Sequence, residues 1–356
     1  MDRYVGLDAH SRSCTLGVIG PSGKRLKSMV VETNGQALVE AVRSIPGRVH
    51  LCLEEGTQSA WLYELLAQHV EEVVVVVPPE RKGPKDDLRD AWARADELRT
   101  GAIQTRVYKA PQHLAALRNA VRAYGFAVRD VVRAKNRLKS VFLSRGIEVD
   151  AGVYEPRGRS KWLSKLPSPH RDLAEWLGRQ LDGLLPLREA AEEWLRREAK
   201  THPIIRKLST APGLGIIRSA QTVAVVANPE RFRTRRQFWS YSGLSIVTRS
   251  SADWVRDRSG RLVRSPVQQT RGLTRKRNAL LKSVFKGAAT TVIAQLPDDP
   301  LRMAYERALQ AGMKPHLAQL PLARRIPAPV LPTRKNQEVY DPDRHRPVTD
   351  RTPALS

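Results

Sequence analysis

Short apolar runs separated by helical patterns dominate the first hundred residues. The turn sequence Pro21-Ser22-Gly23-Lys24 separates the second run from the third, and the run that ends near Pro78 is apolar throughout, as in a strand buried on both faces. We predict strands at residues 3–9, 13–20, 25–32, 49–55 and 72–78.

Helical periodicity follows the third strand and separates the later ones. Apolar residues recur there at intervals of three and four, and Thr33 with Gln36 predicts a capping box in front of them. Further helical patterns run over residues 57–70 and 88–100. The resulting order is three strands, helix, strand, helix, strand, helix.

That order of elements favours an α/β, ribonuclease H-like fold, a mixed sheet with helices packed on it. A doubly wound nucleotide-binding fold is the alternative. It would place a glycine-rich phosphate loop after the first strand, whereas the segment LDAHSRS at residues 7–13 contains no glycine.

Long helical patterns follow this domain. A heptad seam over residues 113–145 predicts a coiled-coil stalk, and a second helical segment over residues 173–194 could pair with it within one chain or across a dimer. The seam consists of Leu114, Leu117, Val121, Tyr124, Val128, Val131, Leu138 and Phe142.

Beyond residue 200 the pattern changes twice. The loop Pro212-Gly213-Leu214-Gly215 lies between two apolar-periodic segments, as in a helix-hairpin-helix whose amides at Gly213 and Gly215 approach a phosphate; the alternative is an ordinary helix turn. The last 44 residues contain eight prolines, which predicts extended or disordered chain. We therefore predict a catalytic domain at 1–110, a coiled-coil linker at 111–200, a C-terminal domain at 201–312 and a proline-rich tail at 313–356.

The charge of the chain points to a polyanionic partner. It carries 61 Lys and Arg against 36 Asp and Glu, a formal net charge of +25, which favours nucleic acid. Arg129, Arg133 and Arg137 lie on the outer faces of the long helical pattern, where they either contact phosphates or form a solvated face. A protein kept soluble by its charge alone is the alternative.

The two cysteines, Cys14 and Cys52, lie in apolar strand patterns and have the character of core residues in a reducing compartment. No Cys/His spacing typical of a zinc site occurs. We find no signal-peptide pattern and no apolar run near the ~18 residues of a membrane span. The sequence therefore predicts a cytoplasmic protein that does not enter a membrane.

Four acidic residues occupy positions suited to a metal. Asp8 ends the first strand and Glu54 the fourth, while Asp87 and Asp90 are three residues apart at a helix start and share a face. Hard oxygen ligands suit Mg²⁺, and two such ions about 4 Å apart can hold the attacking and leaving oxygens of a phosphodiester. Taken singly, an acid at a helix start is more often a cap than a metal ligand.

Seven blocks of the sequence, in order over residues 1 to about 310, resemble the DEDD transposases of the insertion-sequence family numbered one hundred and ten. The blocks are GLDAH, LEEGTQSAWLYELL, KDDLRDAWARADELR, NRLKSVFLSRGI, LSTAPGLG, FWSYSGL and GLTRKRNALLKSVFKGAA. The resemblance implies a RuvC-like N-terminal domain, a coiled-coil linker and a C-terminal transposase domain with a catalytic serine. It also implies a structured non-coding RNA that pairs with donor and target DNA.

The resemblance also implies site residues. The four metal-binding and catalytic acids would be Asp8, Glu54, Asp87 and Asp90, with Glu55 as an alternate because the doublet leaves the register open. The serine at the family's distance from Gly243-Leu244 is Ser251, and Ser250 adjoins it as the alternate. Ala252 stands where the family often has glycine.

The sequence thus predicts a transposase or recombinase that cuts and rejoins DNA with Mg²⁺ and a serine nucleophile, and acts as a dimer or tetramer. Two other functions stay open. A metal-dependent, resolvase-like nuclease would need the acids but not Ser251. A non-catalytic nucleic-acid-binding protein would need neither.

Overall fold

The computed structural model describes residues 1–78, 86–249, 254–264, 269–274 and 277–327, together with Val330 and Val339. The chain forms two compact units, Met1–Gln112 and His113–Ser356, each with its own hydrophobic core. No helix among these residues is long and apolar enough to cross a membrane.

The first unit is built on a five-stranded mixed sheet. Its strands are β1 (Asp2–Ala9), β2 (Ser13–Ile19), β3 (Arg25–Glu32), β4 (Arg48–Glu54) and β5 (Glu72–Val76). Their order in space is β3-β2-β1-β4-β5; β1 to β3 are antiparallel neighbours, and β4 and β5 run parallel to β1. This topology confirms the ribonuclease H-like prediction, because the meander and the two parallel strands belong to one sheet.

Three helices, α1 (Gly35–Arg43), α2 (Ser59–Leu66) and α3 (Asp87–Thr100), accompany the sheet. The predicted capping box before α1 was wrong: the N-cap is Asn34, whose side chain accepts a hydrogen bond from the Ala37 amide at 2.8 Å. Thr33 lies one residue before the cap, and its hydroxyl donates instead to the carbonyl of His10, also at 2.8 Å. The α1 cap is thus joined to the turn that follows β1.

Helix α3 lies directly against β1 and β2 because two glycines leave room for it. A Cβ atom built on Gly6 would overlap the carbonyl oxygen of Ala91 and lie 2.8 Å from the amide nitrogen of Ala95. A Cβ atom on Gly17 would lie 3.0 Å from Cε3 of Trp92. Backbone therefore packs against backbone at Gly6, which brings the start of α3 close to the end of β1.

The second unit is mostly helical. Its helices are α4 (Ala115–Leu143), α5 (Pro156–Leu163), α6 (Ser168–Lys200), α7 (Pro203–Leu208), α8 (Gly215–Val226), α9 (Arg235–Tyr241), α10 (Ala279–Gln295), α11 (Pro300–Gln310) and α12 (Pro315–Arg325). Two short antiparallel pairs, β6 (Ile246–Arg249) with β9 (Gln269–Leu273) and β7 (Trp254–Arg256) with β8 (Leu262–Arg264), lie between α9 and α10 in the sequence.

The seam predicted for a coiled coil packs inside this unit. Helices α4 and α6 lie side by side, and Val131, Leu138 and Phe142 of α4 are buried with Leu177 and Leu181 of α6. The seam is therefore covered by the chain's own second long helix. Of the two pairings that the sequence left open, the one within a single chain is therefore the one that buries the seam.

Part of the tail predicted to be extended or disordered is helical. Pro315 begins α12, where a missing amide proton breaks no helical hydrogen bond, and the helix continues through Pro321. Ala318, Leu322 and Ala323 are buried, so packing against neighbouring helices compensates for the proline. Most of the tail beyond α12 lies outside the described residues.

Candidate active site

Three side chains from β1, the turn after it and α3 meet at the end of β1. The Nε2 atom of His10 lies 3.3 Å from Oδ2 of Asp8 and 3.1 Å from Oδ1 of Asp87. One ligand atom from each of these residues falls within 4.8 Å of the other two. Asp8 is supplied by β1, His10 by the turn after it and Asp87 by the first turn of α3, so the group depends on the packing of α3 on β1.

The carboxylate of Asp8 is the most buried member of this group. The residue is 8% exposed, and its Oδ2 atom is shielded from solvent and accepts no hydrogen bond among the described residues. An anionic oxygen buried in this way requires a compensating positive charge, since desolvation otherwise disfavours it strongly. Two carboxylates and an imidazole converging on one point form a donor set that fits a divalent cation.

Glu54 and Glu55, adjacent in sequence, have different surroundings. Glu54 follows Leu53, which pairs with Leu7 across β4 and β1, so it stands beside Asp8 at the same end of the sheet. Its Oε1 lies 3.7 Å from Nε of Arg94.

Glu55 is tied to residues away from β1. Its Oε2 atom accepts hydrogen bonds from Ser59 Oγ at 3.0 Å and from Lys109 Nζ. Lys109 also donates to Ser59 Oγ at 2.7 Å, and the Glu55 amide donates to the Val76 carbonyl. Glu55 thus already has a cationic partner within its own unit.

The start of α3 carries three acids with separate positions. Asp86 is the N-cap, and its Oδ1 atom accepts hydrogen bonds from the amides of Leu88 and Arg89, each at 3.1 Å. Asp87 reaches His10, as described above. Asp90 is half-buried one turn into the helix, and its amide donates to the carbonyl of Asp86. The helix N-terminus also favours negative charge at these positions.

A cleft of about 570 Å³ opens beside these residues. Asp8, His10, Glu54 and Glu55 line it, together with the loop that leads to α2. Asp87 lines a neighbouring cleft of about 420 Å³ with Asp86. The acidic group therefore lies at the edge of open clefts, where a phosphodiester could approach it.

The structure brings together two of the four predicted acids, Asp8 and Asp87, in one group. Glu54 shares the cleft with Asp8, and Asp90 lies on the same helix as Asp87, but neither belongs to the group within 4.8 Å. Sequence reasoning missed His10. The available signal was its place two residues after the acid that ends a strand, in LDAH.

The predicted phosphate-binding loop between α7 and α8 is closely packed. Gly213 has φ +70°, and a Cβ atom there would overlap the carbonyl of Ala288 on α10. Its own carbonyl accepts a hydrogen bond from Arg218 Nη1 at 2.6 Å. Gly215 has φ +54° and open space around its Cα. Packing on α10 thus accounts for the glycine at 213, whereas Gly215 is accessible.

The predicted arginines of α4 are exposed on its surface. Arg129 and Arg137 face solvent, and the guanidinium of Arg129 lies 5.0 Å from the ring centroid of Phe126. Arg133 is also exposed and forms an ion pair with Asp130 three residues earlier. Ser250 and Ser251, which come directly after β6 in sequence, lie outside the described residues.

The fold and the acidic group define a class, the ribonuclease H-like proteins with a candidate divalent-metal site. Comparison with known families is more specific. A family model described as the transposase DEDD_Tnp_IS110 matches residues 5–145, and one described as Transposase IS116/IS110/IS902 family matches residues 205–306. No curated protein matches the chain.

The first matched segment contains the four predicted acids, and the second contains the loop at Gly213 and both candidate serines. The chain belongs to the IS110 family of DEDD transposases. It is a transposase, and its substrate is DNA.

Proposed function

We propose that this transposase cuts and rejoins DNA with a Mg²⁺ site held by Asp8, Glu54, Asp87 and Asp90 and with Ser251 as the nucleophile. The observation that carries the proposal is the convergence of Asp8 and Asp87 at the end of β1, inside the segment matched by the DEDD model. DNA as the substrate favours the cytoplasm as the place of action.

The proposed ion would supply positive charge to the phosphodiester and orient its oxygens. Asp8 would be the central ligand because its buried Oδ2 accepts no hydrogen bond within the described chain. Glu54 is a better ligand than Glu55, since Glu54 ends β4 beside Asp8, whereas the Glu55 carboxylate is hydrogen-bonded to Lys109 and Ser59. Arg94, 3.7 Å from Glu54, would hold that carboxylate toward the cleft.

Ser251 would conserve the energy of the broken bond. Its Oγ attacks phosphorus and loses its proton, the P–O bond to the departing strand breaks, and that strand leaves with a hydroxyl. The DNA end is then joined to the protein as a phosphoserine ester. Attack by a hydroxyl of another strand reverses the exchange and releases the serine, so no nucleotide hydrolysis is needed.

Ser251→Ala separates this reaction from hydrolysis. Labelled donor DNA is incubated with Mg²⁺ and the non-coding RNA, and a denaturing gel is run with and without protease. The parent should give a protease-sensitive shifted band, and Ser251→Ala should bind nucleic acid but give neither adduct nor recombinant. Ser250→Ala is the matched control and should keep both products. Recombination by Ser251→Ala at the parental rate would exclude this serine and make Ser250 the next candidate.

The acids are tested by Asp8→Asn and Asp87→Asn, with Glu55→Gln as the control outside the proposed ligand set. The first two should abolish strand cleavage and weaken Mg²⁺ binding while the fold and DNA binding persist. Thermal unfolding with and without Mg²⁺ provides the second measurement, because a ligand that binds only the folded state raises its stability. Equal stabilisation of the Asp8→Asn/Asp87→Asn double variant and the parent would place the ion elsewhere.

We propose that α4 contacts nucleic-acid phosphates through three exposed arginines, and that the accessible Gly215 amide contributes a further contact. The arginines are Arg129, Arg133 and Arg137. Replacing all three by Gln should lower the slope of log affinity against log salt by about 2–3, since each phosphate contact contributes about 0.9. Triple replacement by Lys keeps the charge and should retain the slope. An unchanged slope in the Gln variant would mean that these arginines face solvent and contact no phosphate.

We also propose that a structured non-coding RNA guides the enzyme and that it acts as a dimer or tetramer. Donor and target cleavage each need an active site, which favours more than one chain. Recombination without RNA would contradict the first statement. A monomeric complex with RNA and both DNAs in light scattering would contradict the second.

A further inference from the structure

His10 lies between two of the proposed metal ligands, and its backbone is held on both sides. Its amide donates a hydrogen bond to the Ser13 carbonyl at 3.0 Å, and its carbonyl accepts one from Thr33 Oγ1 at 2.8 Å. The imidazole therefore projects from a fixed turn. Its side chain is 32% exposed, so an ion can reach it from solvent.

The distances around Nε2 are those between neighbouring ligands of one ion. Adjacent ligands of an octahedral ion are separated by about 1.4 times the bond length, or roughly 2.8–3.0 Å for Mg²⁺ with bonds of about 2.0–2.1 Å. Nε2 lies 3.1 Å from Asp87 Oδ1 and 3.3 Å from Asp8 Oδ2. Both separations are close enough to that range for one divalent ion to bind all three side chains.

The chemistry of the donor atoms indicates which divalent ion the site prefers. Carboxylates suit Mg²⁺, Ca²⁺ and Mn²⁺ alike, whereas imidazole nitrogen favours transition metals over Mg²⁺ and Ca²⁺. An ion bound by Asp8, Asp87 and His10 has two hard oxygens and one nitrogen. Mn²⁺ accepts both kinds of donor.

The second observation is the buried Oδ2 of Asp8. This oxygen accepts no hydrogen bond within the described chain, although the residue is only 8% exposed, and it is the Asp8 atom nearest to His10. An ion at the point where the three side chains converge would satisfy it. We propose that His10 is a direct ligand of the divalent ion and makes the site prefer Mn²⁺ to Mg²⁺, an inference that rests on the metal site of the proposed function.

The experiment uses the full chain without nucleic acid, with Mn²⁺ alone and Mg²⁺ alone as probes. Calorimetric titration gives the two affinities, and pulsed electron paramagnetic resonance of bound Mn²⁺ detects the coupling of a directly bound ¹⁴N atom. The variants are His10→Ala and His10→Glu. His69→Ala is the matched control, because His69 lies in the same unit and contacts Arg43 instead of a carboxylate. Circular dichroism verifies that each variant is folded.

The parent should bind Mn²⁺ at least tenfold more tightly than Mg²⁺ and show ¹⁴N coupling. His10→Ala should lose the coupling and at least about 10–100-fold in Mn²⁺ affinity, since removing even a hydrogen-bonding partner of a ligand typically costs that much; Mg²⁺ affinity should change much less. His10→Glu should bind both ions through oxygen, without ¹⁴N coupling and with a lower Mn²⁺-to-Mg²⁺ ratio. His69→Ala should match the parent.

The failures of the two proposals are distinguishable. If Asp8→Asn abolishes ion binding while His10→Ala retains the coupling and the affinity ratio, His10 is not a ligand and the carboxylate site stands. If Asp8→Asn leaves ion binding intact, the proposed metal site itself is wrong. A parent that binds Mn²⁺ without ¹⁴N coupling, or does not bind it, overturns the role of His10.

Discussion

Gly6→Ala should disrupt the candidate metal site without touching any of its side chains. The added Cβ atom would overlap the carbonyl oxygen of Ala91 and lie 2.8 Å from its carbonyl carbon. Both are backbone atoms of α3, so no side-chain rotation can relieve the contact. The helix must move away from β1, and Asp87 at its start must move with it.

The size of the displacement follows from ordinary contact distances. Restoring a carbon–carbon separation of about 3.5 Å requires a shift of at least about 0.7 Å at Ala91. Metal–ligand distances tolerate only about 0.2 Å, so Asp8 and Asp87 should no longer bind one ion together. Overpacking of this kind should also lower the free energy of unfolding of unit Met1–Gln112 by about 1–3 kcal/mol.

The assay compares two glycines in the sheet, Gly6 and Gly17, with Gly20, which directly follows β2. Gly6→Ala should lose most divalent-ion affinity, measured by calorimetric titration, and some stability, measured by urea unfolding. Gly17→Ala should be milder, because its nearest neighbours are ring atoms of Trp92 at 3.0 and 3.1 Å. Gly20→Ala is the control, with its nearest neighbour, Leu26 Cδ1, at an ordinary 3.6 Å. Parental ion affinity in Gly6→Ala would refute the dependence of the site on the β1–α3 contact.

Three further predictions concern the two cores. Arg159 donates two hydrogen bonds of 2.7 Å to Asp182 and holds the pKa of that carboxyl below its ordinary 3.8. Asp182→Asn should therefore lower the free energy of unfolding by about 2–3 kcal/mol at pH 7. In urea unfolding this difference should persist above pH 3.8 and vanish as the pH falls through the lower folded pKa; a constant difference down to pH 2 would contradict it. Burial raises the pKa of the Cys52 thiol to about 12, so maleimide should label this cysteine at pH 8 only after unfolding. Rapid labelling of Cys52 in the folded chain would contradict this prediction. Leu138→Ala should lower the free energy of unfolding by about 2–5 kcal/mol at every protein concentration, because the seam packs within one chain. A loss that depends on protein concentration would instead indicate that the seam packs between two chains.

Local patterns carried much of the fold. The apolar runs that became β1 to β5 and the helical periodicities between them depend on neighbouring residues only, so the strands and helices of the first unit could be predicted in order. Asp8 and Glu54 could be placed at strand ends for the same reason. The prediction of the α1 cap failed because Thr33 and Asn34 are adjacent and both competent caps. In the structure Asn34 accepts from the Ala37 amide, whereas Thr33 contacts His10, 23 residues away in sequence.

The sequence by itself determined the α/β class, the excess of positive charge, and which acids stand at the ends of strands and the start of a helix. Tertiary structure decided which of those groups meet. Asp87 reaches Asp8 because Gly6 lets α3 approach β1, and His10 joins them because its turn is hydrogen-bonded to Thr33. Glu55 differs from Glu54 because it is hydrogen-bonded to Lys109, which lies 54 residues away in sequence. Such contacts depend on chain packing in three dimensions, which the spacing of residues along a sequence does not contain.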